Sequence, residues 1–273
     1  MRLLCFGGDE RMRGALEAAR AAGWEARHIR DEDDAGAELC ADAVMLPWPR
    51  SFENGRLVGG GLTREQTLAL LPPCRVLLAG SGVEAGDAPK AEQIAEPGRD
   101  EAFLLTNAKL TAEGAIAAAA RRTGRALLGR TCVVTGFGRI AQALTTRLCA
   151  MEAFVIVCAR SEAQMRLAHG MGAHPVPLEG AASACAQADV VFGTVPARVL
   201  GEAALSALPC GAWIIELASP PYGVDVEWAR HIGVQIAVES GLPGRYAPAD
   251  AGAALFDALR RAMDDKQGGK ANG

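Results

Sequence analysis

The sequence holds only four lysines, only four histidines and no cysteine pair in Cys-x-x-Cys spacing. Each shortage excludes something. Nucleic acids and anionic membranes are gripped by clustered lysine and arginine, whereas this chain has a formal net charge of −4 and keeps two of its lysines at positions 266 and 270. Neither partner is expected. The histidines, at 28, 169, 174 and 231, show no metal-ligand spacing and no Ser/His/Asp arrangement, and Gly170 and Gly172 separate the only two that lie close together. No metal site is expected. The eight cysteines, at 5, 40, 74, 132, 149, 158, 185 and 210, fall largely within apolar patterns and read as small, reduced core residues. No apolar run approaches the roughly 18 residues of a membrane span, and Gly7-Gly8-Asp9 comes too early for a signal-peptide core. The expected protein is soluble and cytoplasmic.

What is present is an ordinary globular balance, with 50% hydrophobic and 22% charged residues over 273 positions, enough for two domains of about 100 to 200 residues each. The most informative stretch is Val133-Val134-Thr135-Gly136-Phe137-Gly138-Arg139-Ile140-Ala141. An apolar strand runs into a Gly-x-Gly-x-x-Ala turn and then a helix-forming segment, the pattern of a dinucleotide site. The first glycine permits the turn, the second lets backbone approach a pyrophosphate, and Ala141 allows close helix-strand packing. Gly136, Phe137, Gly138, Arg139 and Ile140 are the expected phosphate-side contacts, at the positive end of the helix dipole.

Along the chain, apolar strands alternate with amphipathic helices. Strands are expected at 2–6, 25–29, 42–46 and 74–79, with helices at 12–22 and 63–71, then a polar, irregular excursion over 83–100. Thr111 reads as the N-cap of an alanine-rich helix reaching Arg122. From Thr131 a second β/α series begins, with strands at 131–135, 153–158, 174–176, 189–192, 213–216 and 234–237 and helices at 138–150, 161–169 and 178–187. The pattern predicts an α/β fold of two α/β domains, the second a Rossmann-type doubly wound parallel sheet. The expected domains are 1–105 on the substrate side and 106–247 for the nucleotide, then a helix over 248–264 returning to the first domain and a frayed tail over 265–273.

The end of the second nucleotide-side strand sets cofactor preference. An NAD site places an acid there and an NADP site a cation. Here the sequence is Cys158-Ala159-Arg160-Ser161, which favours NADP through Arg160 and Ser161, while Glu162 keeps NAD possible. Arg160 equally suits a solvated surface cation. After the next strand, Thr194-Val195-Pro196 falls where a nicotinamide ribose would lie, or forms a proline turn closing a buried strand. The Pro- and Gly-rich stretches 217–223 and 241–248 hold a fixed backbone at low entropy cost, to present Ser219 or Arg245 to a ligand or simply to turn the chain.

Taken together, Gly7-Gly8-Asp9-x-Arg11, Asn107-x-x-x-Thr111-Ala112-Glu113-Gly114, Gly136-Phe137-Gly138-Arg139, Thr194-x-Pro196-Ala197, Leu217-Ala218-Ser219 and Gly241-Leu242-Pro243-Gly244 resemble the A subunit of dipicolinate synthase. The resemblance spans nearly the whole chain and departs from the family pattern within 217–223. It implies a two-domain fold like that of formate and alanine dehydrogenases, with a cleft between the domains. It also implies oxidation of dihydrodipicolinate, or its hydrated precursor, to pyridine-2,6-dicarboxylate with NAD(P)+. Family members work with a flavoprotein-like B subunit, in the mother-cell cytoplasm of sporulating bacteria, and a homo-oligomer is expected.

A substrate with two carboxylates calls for hydroxyls, amides and a cation, for which Arg11, Ser81, Asn107, Thr111, Ser219 and Arg245 are the candidates. Thr111, Glu113 and Glu216 are the candidates for catalysis, the two acids assisting loss of water or making structural hydrogen bonds instead. No histidine follows position 231, which counts against hydroxyacid-dehydrogenase chemistry. Two alternatives stand beside this reading: an alanine-dehydrogenase-like enzyme, which needs a Lys and His pair that Lys90 and His28 suit poorly, and a non-catalytic NADP-binding scaffold for the flavoprotein partner.

Overall fold

A computed structural model describes residues 1–35 and 39–269. The chain divides into two compact units, Met1–Asn107 with the stretch from Pro243 on, and Ala108–Leu242. The first unit contains β1 (Arg2–Phe6), α1 (Glu10–Ala21), β2 (Glu25–Ile29), α2 (Glu32–Ala35), β3 (Ala43–Met45), the hairpin β4 (Phe52–Glu53) and β5 (Arg56–Leu57), α3 (Arg64–Leu70), β6 (Val76–Leu78) and β7 (Ile94–Ala95). Its main sheet has the order β2-β1-β3-β6-β7, with every pairing parallel. Leu3, Cys5, Val76 and Leu78 face one apolar layer and Leu4, Phe6, Val44 and Leu77 the other, as a sheet covered on both faces requires.

The next helix, α4 (Glu101–Thr123), is a single 23-residue element. The sequence places its start at Thr111; the structure starts it at Glu101, with the Asp100 carboxylate accepting from the Phe103 amide at 3.1 Å. Nothing in 102–110 breaks a helix, so Thr111 is an interior, buried position rather than a cap. The expected irregular stretch over 83–100 holds two 3-10 turns and β7, which is two residues long.

The second unit contains β8 (Thr131–Thr135), α5 (Arg139–Ala150), β9 (Phe154–Ala159), α6 (Glu162–Gly170), β10 (His174–Pro177), α7 (Ala181–Cys185), β11 (Val190–Gly193), α8 (Glu202–Ser206), β12 (Trp213–Glu216), α9 (Val226–His231) and β13 (Gln235–Val238). The order β10-β9-β8-β11-β12-β13, parallel throughout, is that of a Rossmann-type doubly wound sheet. Its strands are near-continuous apolar runs such as Cys132-Val133-Val134, buried because helices flank both faces.

The chain then forms α10 (Leu242–Tyr246) and α11 (Pro248–Gly269). Sequence reading ends the nucleotide domain at 247, whereas contacts place the change of unit at Pro243. The physical reason is α10: Gly244 lies so close to Arg11 that a Cβ there would sit 3.1 Å from its Nε. α11 packs on α1 with backbones nearly touching. A Cβ at Gly14 would lie 2.5 Å from the Pro248 carbonyl oxygen, and one at Gly252 would collide with Arg11 and Ala15 backbone. Trp24 meets Phe256 of α11 edge-on at 5.2 Å. α11 continues through Gly269, past residue 265 where a frayed tail is expected, and 270–273 lie outside the described residues.

Cys5, Cys74, Cys132, Cys158 and Cys185 are buried core residues, while Cys40 and Cys210 are exposed. Burial pushes the Cys132 and Cys158 thiols up to about 12, which removes them as nucleophiles. No helix among the described residues is long and apolar enough to cross a membrane.

Candidate functional site

In the six-stranded sheet the strand order reverses between β8 and β11, so the loops after these strands border the crevice where ligands gather in such folds. The loop after β8 is Gly136-Phe137-Gly138. Gly136 has φ +81°, and a Cβ there would lie 2.5 Å from Val195 Cγ2 and 3.2 Å from Thr194 Oγ1, so this turn admits only glycine without displacement. Its amide donates to the Cys158 carbonyl at 2.7 Å, tying the turn to the end of β9. Phe137 is buried and anchors the loop from below.

Gly138 is the N-cap of α5, and no side chain caps that helix. A Cβ at Gly138 would meet nothing within 4 Å. Its φ of −78° suits any residue, so neither backbone strain nor packing within the chain calls for glycine there. Arg139 and Ile140 open the helix, and Ala141 is fully buried where α5 meets the sheet. The residues present fit a dinucleotide pyrophosphate.

The loop after β11 is knitted to the same edge. The Thr194 hydroxyl donates to the Thr135 carbonyl at 2.6 Å and the Thr194 amide donates to Thr135 Oγ1 at 3.3 Å. The Thr194 hydroxyl retains acceptor capacity for a ribose. Val195 is half-buried and Pro196 exposed beside it. At the end of β9, Arg160 is exposed and its guanidinium has no hydrogen-bond or ion-pair partner among the described residues. Ser161 caps α6, its Oγ accepting from the Gln164 amide at 3.3 Å. Glu162 pairs with Arg166 at 3.2 Å along the same helix. Thus the expected cofactor residues share the carboxyl edge of one sheet.

The candidate acids are bound within the protein. Glu216, at the end of β12, is fully buried, accepting from the Ala218 amide at 2.9 Å and the Gly223 amide at 3.1 Å. Burial raises its carboxyl above the usual range, against the pull of the Ala218, Gly223 and Leu217 amides. It packs so tightly on β11 that a Cβ at Gly193 would lie 2.5 Å from Glu216 Oε2. It therefore holds the loop that presents Ser219, which is exposed. Glu113, on α4, pairs with Arg147 of α5 at 2.9 Å.

In the first unit, Arg11 Nε and Nη2 are clamped by Asp9 at 2.9 and 2.8 Å, and the same carboxylate caps α1 by accepting from the Arg11 amide at 3.0 Å. Burial pushes the Asp9 carboxyl up, but the hydrogen bonds and charge of Arg11 outweigh it and hold it below the usual carboxylate range. Ser81 is exposed after β6, its hydroxyl donating to the Pro49 carbonyl at 3.2 Å. Asn107 is half-buried on α4, and Arg245 is exposed on α10 with its guanidinium 5.9 Å from the Tyr246 ring centroid. The sequence leaves out the Asp9 clamp on Arg11, and of its two roles for Glu216 the structure displays the hydrogen-bonding one. Asp9 carries a cap signal in the sequence; Glu216 depends on amides that only the fold assembles.

Lys90 donates to the Leu71 carbonyl at 3.4 Å, and His28 Nε2 donates to the Gly7 carbonyl at 2.7 Å. Both serve local structure. Among the described residues no group of three or more His, Cys, Asp or Glu could hold a metal ion.

Residues 104–220 match the family model described as D-isomer specific 2-hydroxyacid dehydrogenase, NAD binding domain. The chain is similar to the dipicolinate synthase A subunit of Bacillus subtilis, at 30% identity over 169 residues, 62% of this chain and 57% of that protein. The aligned region thus spans less than two thirds of that relative. Among solved structures, the dipicolinate synthase A subunit of Bacillus halodurans superposes with a TM-score of 0.80 at 24% identity, covering 96% of this chain and 97% of that one. An L-alanine dehydrogenase superposes at 0.65 and 14% identity, covering 99% and 91%. These likenesses establish the fold, and the domain match supports a nicotinamide-dependent oxidoreductase.

Proposed function

We propose that this chain oxidises dihydrodipicolinate, or its hydrated precursor, to pyridine-2,6-dicarboxylate, with NADP+ as preferred acceptor. The observation that carries the substrate assignment is the 30% identity to the A subunit of dipicolinate synthase. The cofactor assignment rests on the open Gly138 cap and on Arg160 at the end of β9, where a 2′-phosphate needs a cation.

When bound, the nicotinamide would supply the acceptor for a hydride from a substrate ring carbon, the accompanying proton leaving to a base or to water. The chain's own residues bind and orient. Gly136, Phe137 and Gly138 shape the approach to the start of α5, Arg139 and Ile140 supply its first amides, Arg160 and Ser161 take the 2′-phosphate, and Thr194, Val195 and Pro196 flank the ribose. For the two carboxylates, the Asp9 clamp leaves Nη1 and the second Nη2 hydrogen of Arg11 as donors, with Asn107, Thr111, Ser219 and Arg245 adding polar contacts. Ser81 must release Pro49 before its hydroxyl can donate. Gain of aromaticity drives the step, so holding the ring at near-attack distance supplies most of what catalysis needs. Of the acids, Glu216 is the candidate to assist loss of water from a hydrated precursor, burial raising its carboxyl above the usual range. The partner is a flavoprotein-like B subunit, and the setting is the cytoplasm of a sporulating mother cell.

A second reading is favoured by one observation. Glu113 and Glu216 are both engaged by groups of the chain itself, as suits a nucleotide-binding scaffold whose partner performs the chemistry. Incubating the purified chain with dihydrodipicolinate and NADP+, with and without the B subunit, separates the two. Pyridine-dicarboxylate absorbance from the chain alone supports the enzyme. No turnover alone but turnover with the partner supports the scaffold, and alanine-dependent reduction of the nucleotide would reject both.

A further inference from the structure

The amino-terminal edge of the six-stranded sheet, opposite the Gly136 turn, carries a cavity of about 430 Å³ with an unusual wall. Arg122 comes from the end of α4, Arg125 and Arg130 from the connection to β8, Asp189 from the approach to β11, Trp213 from the start of β12 and Gln235 from the start of β13. Three arginines and one acid, Asp189, thus line the cavity, with the Glu239 carboxylate paired to Arg122, in a chain whose formal net charge is −4. The concentration of positive charge is local.

The three cations are held differently. Arg122 is fixed by the buried Glu239 carboxylate at 3.0 Å and lies 5.9 Å from the Trp213 ring centroid, so its charge is largely matched and its plane is set. Arg130 meets Asp189 at a long 3.4 Å, while that carboxylate also accepts from the Thr131 amide at 2.9 Å. Arg125 is exposed, and its guanidinium has no hydrogen-bond or ion-pair partner among the described residues. A basic residue in the last turn of a helix complements the carbonyl ends. That accounts for Arg122 but not for Arg125 or Arg130, which lie beyond Thr123 where α4 stops.

We propose that this cavity binds a small oxyanion with at least two negative oxygens, a dicarboxylate or a phosphate, gripped by Arg125 and Arg130 against the fixed plane of Arg122 and Trp213. Guanidinium forks match such oxygens in pairs, and the Gln235 amide adds a neutral donor. The site is separate from the nucleotide turn and does not depend on the reading of that turn, because its residues stand at the other ends of the same strands.

The test is calorimetric titration of the full chain at constant ionic strength with two probes, inorganic phosphate and succinate, neither of them the product assigned above. At least one probe is expected to bind at one site with Kd of about 1 mM or tighter, and Arg125→Ala is expected to weaken it about tenfold, the loss of one charge-assisted contact. The tighter probe identifies the source of the oxyanion. Arg125→Ala removes an exposed side chain, so its melting temperature is expected to match the parent's; Arg130→Ala is the second variant. Gly138→Asp, which alters only the opposite edge, is expected to leave this binding intact. No saturable binding of any probe by about 10 mM overturns the proposal, as does binding that both arginine variants retain or that Gly138→Asp removes.

Discussion

Both units place a glycine turn after the first strand of a parallel sheet, at the point where strand order reverses, yet the two turns end differently. After β1, Gly7-Gly8-Asp9 is filled by the chain itself. The Gly8 amide donates to the Val58 carbonyl at 2.6 Å, Gly59 backbone presses on Gly8, and Asp9 supplies the carboxylate that caps α1. After β8, Gly136-Phe137-Gly138 leaves the cap of α5 without a side chain and with open space over Gly138. The strands next door repeat the contrast. Arg30 after β2 donates through Nε to His28 Nδ1 at 3.3 Å, whereas Arg160 after β9 has no such partner among the described residues. One helix start carries its own anion, and no side chain caps the other.

Giving the second turn the first one's carboxylate breaks the contrast most severely. In Gly138→Asp the new side chain caps α5, so the melting temperature is expected to hold or rise, while NADP binding falls about 100-fold, because like charges about 4 Å apart cost several kcal/mol at an effective dielectric near 20. Fluorescence titration measures the loss; unchanged affinity would show that no phosphate reaches this helix. Gly136→Ala forces a Cβ 2.5 Å from Val195 at φ +81°. About 1 to 3 kcal/mol of stability should be lost, read from denaturant melts.

Arg160→Ala is expected to weaken NADP about tenfold and NAD hardly at all, the size of one charge-assisted contact. Equal losses for both nucleotides would remove Arg160 from the 2′-phosphate site. The smallest effect belongs to the self-filled turn. Asp9→Ala should cost about 1 kcal/mol, a lost cap, with NADP affinity unchanged. Because the folded Asp9 carboxyl lies below its unfolded value of about 3.9, its contribution is full above that pH and disappears as pH falls through the lowered folded value. Melts of parent and variant should therefore converge in acid; a difference that persists there would mean that Asp9 acts through packing rather than charge.

The β8 turn was legible in the sequence because three local signals agree there: a buried apolar run, paired glycines and an amphipathic helix. The start of α4 was not. Ala102-Phe103-Leu104-Leu105 suits several structures, and only the Asp100 cap settles it as helix. Likewise Leu242-Pro243-Gly244 reads as a turn by composition but folds as α10, since Gly244 has to fit against Arg11, more than two hundred positions earlier. Sites divide the same way. The nucleotide-side residues follow one another along a single sheet edge and Arg11 is held by Asp9 two residues away, whereas Glu216 is engaged by amides of a loop whose path only the fold sets.

The glycine contact between α1 and α11 bears on the order in which the protein is made. The first unit is assembled from segments on either side of the second, so a ribosome finishes every strand of the nucleotide-side sheet before the helix that covers α1 has been synthesised. Met12, Leu16 and Ala19 of α1 must wait for Leu255, Phe256 and Leu259. The unit translated first is thus completed last, and during that interval the apolar face of α1 stays uncovered.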